Sequence, residues 1–163
     1  MKSSLEAYLD IETTGLSAFS EDITVVGIYL CRGRKTQFIQ LVGGDITPDS
    51  LLEALEGVDI IYTYNGHRFD LPFINTRLGL NLEKLYRHRD LMYDCWRWNL
   101  RGGFKSVERQ LGIPRKLVEV DGRAAVRLWW RYVESFDLEA LDILLAYNKE
   151  DVVNLKELKE RLL

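Results

Sequence analysis

Asp10 and Glu12 stand two apart in the stretch AYLDIETTG (7–15), where an apolar run gives way to a polar turn. In a strand, residues i and i+2 point to the same face, so these two carboxylates lie side by side against the core. Burial penalises each charge, and like charges held together push a pKa up. Two further stretches offer partners. YNGHRFDLPFI (64–74) puts Asp70 just after a strand-to-helix turn, and YNKED (147–151) puts Tyr147 and Asp151 four apart, on one face of a helix. Singly, each has an ordinary reading: a turn cap for Asp10 and Glu12, a helix-terminus charge for Asp70, a solvated face for Asp151, a core aromatic for Tyr147. Together they suit one chemistry. Hard cations such as Mg²⁺ take oxygen ligands, and two cations about 4 Å apart can hold both the attacking and the leaving oxygen of a phosphoryl displacement. On this reading Asp10 and Glu12 stay together because a metal sits between them.

The elements that must position these residues follow from periodicity and punctuation. Residues 5–12, 23–31 and 35–42 read as strands, the last two joined as a hairpin through Arg32-Gly33-Arg34. Thr47-Pro48-Asp49 opens a helix that runs to about Leu55. Residues 58–64 read as a short apolar strand, followed after Asn65-Gly66 by a helix over about 68–78 that Gly79 ends. Residues 90–93 read as a short strand, and segments near 94–100, 104–111 and 122–134 as helices. Residues 137–162 carry leucines at helical spacing, with a break expected around Asn148. Strands meander first and then alternate with helices, which predicts an α/β fold with a mixed sheet, antiparallel on one side and parallel on the other.

A chain of 163 residues reads most simply as one domain, 1–163, with 47% hydrophobic and 29% charged residues giving an ordinary globular balance. No apolar run is long enough for a transmembrane helix, so no membrane partner is expected, and Met-Lys-Ser-Ser-Leu-Glu lacks a signal-peptide core. Cys31 and Cys95, with two histidines in the chain, make neither a zinc pattern nor a disulfide framework. They read as buried thiols of a reducing, cytoplasmic protein.

The net charge of −3 does not advertise nucleic-acid binding, but the charge is unevenly spread. From 101 to 116, Arg101, Lys105, Arg109, Arg115 and Lys116 face a single acid, Glu108, with Lys84, Arg87, Arg89 and Arg97 upstream. A basic segment beside an acidic metal centre suits a phosphate backbone; an ordinary solvated surface is the alternative. Lys105 is the favoured phosphate contact, because Gly102 and Gly103 free the backbone just before a helix start. Trp96, Trp98, Trp129 and Trp130 are stacking candidates, though Trp129 and Trp130 suit core packing better. His67 reads as a loop histidine, and His88 as either structural or groove-lining.

The stretches LDIETTGL (9–16), YNGHRFDLPFI (64–74) and YNKEDV (147–152), in this order and at these separations, resemble the three exonuclease motifs of the DEDD superfamily of 3′–5′ exonucleases. Within it the chain is similar to predicted exonucleases of the YprB type and to the proofreading domains of family B DNA polymerases. The resemblance implies a ribonuclease H-like fold with a mixed five- to six-stranded central sheet flanked by helices. It implies a metal-dependent 3′–5′ exonuclease that hydrolyses phosphodiester bonds at the 3′ end of single-stranded DNA or RNA, using two divalent cations, Mg²⁺ or Mn²⁺. Asp10, Glu12, Asp70 and Asp151 would then be the metal ligands, with Asp10 bridging, and Tyr147 would orient the attacking water. Tyrosine stands four before Asp151 and alanine five before it, which matches the tyrosine branch, DEDDy. Asn65 and Phe69 match positions that touch the substrate end, Phe69 by stacking on a base or else as a core residue. The backbone of Thr13, Thr14 and Gly15 would approach the terminal sugar. A catalytically silent module that binds nucleic acid or protein is the alternative, but all five motif residues are present. An endonuclease is a third reading that the tyrosine-type motif disfavours.

Overall fold

A computed structural model describes residues 2–163. Five strands form one mixed sheet in the order β3-β2-β1-β4-β5. Strand β1 (Glu6–Thr13) pairs antiparallel with β2 (Ile23–Arg32), and β2 with β3 (Lys35–Val42). On the other side β1 pairs parallel with β4 (Ile60–Thr63), and β4 with β5 (Arg87–Asp90). The expected division into an antiparallel and a parallel half is thus present, with β1 at the seam. Helices flank the sheet: α1 (Pro48–Ala54), α2 (Asp70–Leu78), α3 (Leu82–Leu85), α4 (Leu91–Arg97), α5 (Phe104–Leu111), α6 (Gly122–Ser135) and α7 (Leu138–Leu162).

Alternation along β1 divides the core. Ala7, Leu9 and Ile11 pack with Leu51 of α1, Leu55 just after it, and Leu71, Phe73 and Ile74 of α2. Tyr8 faces the other way, onto Leu91 and Cys95 of α4 and Val152, Leu155 and Leu158 of α7. Cys31 and Cys95 are both buried and unbridged. Among the described residues no helix is long and apolar enough to cross a membrane.

Two expectations are corrected. The short strand lies at 87–90 instead of 90–93, because Asp90 caps α4 by accepting from Met92 N at 3.0 Å and so turns the chain into a helix. Helix α7 runs 25 residues without a break at Asn148. The Asn148 side chain finds partners off the helix, so it does not compete for the helix backbone.

Candidate active site

With Ala7, Leu9 and Ile11 committed to one face of β1, Asp10 and Glu12 emerge on the face that carries Tyr8, toward α7. Helix α7 is locked to them through Asn148. Its Nδ2 donates to the Asp10 carbonyl at 3.2 Å and to Asp10 Oδ2 at 3.4 Å, and its Oδ1 accepts from Gln40 Nε2 at 2.9 Å. Gly27, the β2 partner of Asp10, makes room for that amide: a Cβ there would lie 2.9 Å from Asn148 Cγ and closer still to Oδ1. One turn on, α7 presents Asp151. Carboxylate oxygens of Asp10, Glu12 and Asp151 all lie within 4.8 Å of one another. Asp70 opens α2 on the flank, and its Oδ2 accepts from Ile11 N at 3.0 Å.

These acids are crowded and largely buried. Burial, reinforced by the charge of Asp151, lifts Asp10 and Glu12 well above the usual carboxylate range. Burial pushes Asp70 up to about 7 against the opposing Ile11 N–H bond. Asp151 is raised too, by burial, with Arg115 opposing. Arg115 is itself only 5% exposed; its Nη2 lies 2.7 Å from Asp151 Oδ1 and 2.8 Å from Oε1 of buried Glu108. The loop that brings it in is pinned to α7, where Glu150 accepts from the backbone N–H of Lys116 at 2.8 Å and Leu117 at 2.9 Å. A single guanidinium shared with Glu108 cannot balance four clustered carboxylates. All-oxygen donors, buried and under-compensated, fit hard divalent cations such as Mg²⁺ or Mn²⁺.

The acids open into a cleft of about 520 Å³ whose lining includes Asp10, Tyr64, Phe104, Lys105, Tyr147 and Asp151. Residues 7–163 match the model of the RNase_H superfamily. The chain belongs to that superfamily. Over 113 residues, 62% of its length, this chain is 32% identical to the protein YprB of Bacillus subtilis (strain 168). Its fold is similar to that of the family B DNA polymerase of the archaeon Pyrobaculum calidifontis, with a TM-score of 0.76 at 15% identity over 98% of this chain. It is also similar to E. coli ExoI in a complex with ssDNA, with a TM-score of 0.51 at 15% identity over 88% of this chain. The chain spans 27% of YprB, 24% of the polymerase and 43% of ExoI. The DEDD set of acids fits this superfamily's nuclease-like fold.

The other residues singled out in the sequence fall in several places. Tyr147 is buried, and cations lie against its ring: Lys105 Nζ at 4.8 Å from the centroid and the Arg115 guanidinium at 5.7 Å. Burial, then the neighbouring acids, raise its phenol pKa, so it stays neutral. Lys105 lines the cleft but also donates to the Val120 carbonyl. Asn65 takes a left-handed φ of 62°, held by Asp90 Oδ1 accepting its N–H at 2.8 Å, and its buried Oδ1 has no partner among the described residues. Phe69 is half-buried and packs on Phe73, with centroids 5.5 Å apart. Thr14 and Gly15 lie in the turn after β1, where the Glu21 side chain fills the space over Gly15 and would lie 2.9 Å from an added Cβ. Thr13 Oγ1 donates to the Gly15 carbonyl at 2.7 Å.

The basic run 101–116 is not one surface. Arg115 and Glu108 are both buried, paired with each other, and Asn154 Nδ2 donates to Glu108. Arg115 therefore serves the acid cluster and is not part of a solvated phosphate track. Trp129 packs half-buried against α7's cluster, and Trp130 is exposed. His88 is half-buried away from the acid cleft, with its Nε2 2.8 Å from Thr63 Oγ1. His67 is exposed and contacts Glu83 at 2.7 Å. Sequence reasoning missed Asp90, which also accepts from His67 N at 3.1 Å, and Asn148 as the lock between β1 and α7. Asp90 carried a signal: an Asp just before an apolar helical segment is a standard cap. Asn148 carried none, because its partners are remote in sequence.

Proposed function

We propose that residues 1–163 form the catalytic unit of a 3′–5′ exonuclease of the DEDDy type that acts on single-stranded DNA or RNA. The reading is carried by one observation: the oxygens of Asp10, Glu12 and Asp151, gathered within 4.8 Å, with Tyr147 on the same helix face one turn earlier. Asp10, Glu12, Asp151 and Asp70 would hold two divalent cations, Mg²⁺ or Mn²⁺. When bound, such ions supply acidity to water and neutralise the charge of a phosphodiester. Tyr147 is a poor general base, since its phenol is held neutral. Its hydroxyl positions the attacking water, and the ring is fixed by burial. Lys105, in the cleft, offers its ammonium to the scissile phosphate. Asn65, Phe69 and the backbone of the Thr13–Gly15 turn would meet the terminal nucleotide. The likeness in fold to E. coli ExoI, in a complex with ssDNA, supports nuclease chemistry.

The test uses 5′-labelled single-stranded DNA and RNA oligomers with Mn²⁺, with Mg²⁺ and with EDTA, beside Asp10→Ala. A metal-dependent ladder shortening from the 3′ end, absent in the variant, is expected. Internal cuts would make the enzyme an endonuclease, and intact oligomers in every lane would leave a binding module.

A further inference from the structure

Outside the metal cleft, one face alternates aromatic rings with arginines. Tyr64 lines the cleft, and Phe104 stacks on it with centroids 5.2 Å apart at 27°. The Tyr64 phenol donates to the Gly102 carbonyl at 2.8 Å and so fixes the loop that carries Arg101. The Arg101 guanidinium lies 5.6 Å from the centroid of Trp96. Arg68 lies 5.3 Å from that same ring and 5.9 Å from Tyr93, which meets Trp96 edge-on at 5.2 Å. Arg68 stands two residues before Asp70, in the turn that opens α2.

Charge points to the occupant. Among the described residues neither Arg68 nor Arg101 has a carboxylate partner, and both are exposed. The acids of this face are engaged elsewhere: Asp94 is 2.8 Å from Arg89 and 3.7 Å from Arg97, and Glu83 is 2.7 Å from His67. Two unneutralised guanidiniums, both against the Trp96 ring, offer cations for phosphates and planar groups of their own on which bases can stack. A duplex keeps its bases stacked inside, whereas a single strand can lay them on such rings.

Resting on the exonuclease reading, we infer that the single strand upstream of the scissile end leaves the cleft over Tyr64 and Phe104 and runs across Arg101, Trp96 and Arg68. The strip binds by stacking and phosphate charge, so it takes DNA or RNA without reading sequence.

The test compares kcat/KM for a trinucleotide and a fifteen-nucleotide single strand with Mn²⁺. Stacking of a base on an aromatic ring favours the bound strand whatever its sequence. Trp96→Ala should therefore lower the preference for the long strand by about tenfold, mostly through KM, and Trp96→Phe should restore most of it. Arg68→Ala with Arg101→Ala changes exposed side chains only and should cut the same preference while flattening its salt dependence. Variants that keep the parental long-to-short ratio and salt slope would overturn the strip and leave the exonuclease standing. If the parent cleaves neither oligomer, the exonuclease reading falls and the strip falls with it.

Discussion

Gly27→Ala tests whether the β1–α7 lock builds the acid cluster. Alanine normally improves on glycine within an element by roughly 0.5–1 kcal/mol. Here the new methyl would land on the Asn148 amide, 2.9 Å from Cγ. Asn148 is fully buried and held by Gln40 and Asp10, so it has no empty space to enter. Forcing an extra methyl into packed surroundings costs about 1–3 kcal/mol. Each hydrogen bond that Asn148 gives up costs about 1 kcal/mol more. The net expectation is a loss of about 3 kcal/mol in urea unfolding. Because Asn148 lies between Tyr147 and Asp151 on α7, the shift also parts Asp151 from Asp10, and Mn²⁺ affinity should fall at least about tenfold. Adding Asn148→Ala to Gly27→Ala removes the clash, so the double variant should be more stable than the two losses summed predict. Gly44→Ala, with nothing within 4 Å of its added Cβ, is the neutral control. A Gly27→Ala protein with parental stability and parental Mn²⁺ affinity would refute the lock.

Tyr147→Phe should slow turnover by about a hundredfold, as expected for lost positioning, while Mn²⁺ affinity by calorimetry stays within about twofold; equal loss of both would make the hydroxyl structural. The metal-free protein should lose stability as pH rises. Asp70 holds its proton more tightly when folded, at about 7, than in an unfolded chain at 3.8, so stability present at low pH drains away between those values. At about 1.4 kcal/mol per unit the upper bound is about 4 kcal/mol; Asp10 and Glu12 act in the same direction, and Asp10→Ala should flatten the slope. Saturating Mn²⁺ should remove it, and a metal-free melting temperature that is level or rising from pH 4.5 to 7.5 would count against the crowded-acid picture. Cys31 and Cys95, both buried with burial pushing each thiol up to about 11, should stay silent to a thiol reagent in the native state and react on unfolding; rapid labelling of the native fold would show that one of them opens.

The legible parts of the molecule were those encoded within one segment. Period-two alternation in β1 and leucine spacing in α7 predict their elements, and two short acidic motifs placed on them predict that Asp10, Glu12 and Asp151 meet. The boundary at Asp90 was harder, because RHRDLMYD carries strand and helix signals together, and the side-chain cap decides between them. The local preference of Asn148 is polar and turn-like, which suggests a helix break that α7 does not have. The structure spends that polarity on Gln40 and on Asp10, residues 108 and 138 positions away. Nothing local could reveal this.

The basic run shows the same limit in charge. Five cations between 101 and 116 look alike as letters, yet their fates diverge. Arg101 is exposed on the Trp96 ring, Lys105 is half-buried against Tyr147, and Arg115 is inside. The difference comes from what each segment packs against. The loop at 113–117 is drawn onto α7 by Glu150, and this carries Arg115 past the surface to Asp151. A buried guanidinium there is tolerable because Glu108 and Asp151 share it. Among the described residues it leaves Asp10, Glu12 and Asp70 without an organic cation of their own, so burial and mutual repulsion keep protons on them, and a divalent ion entering the cleft would displace those protons.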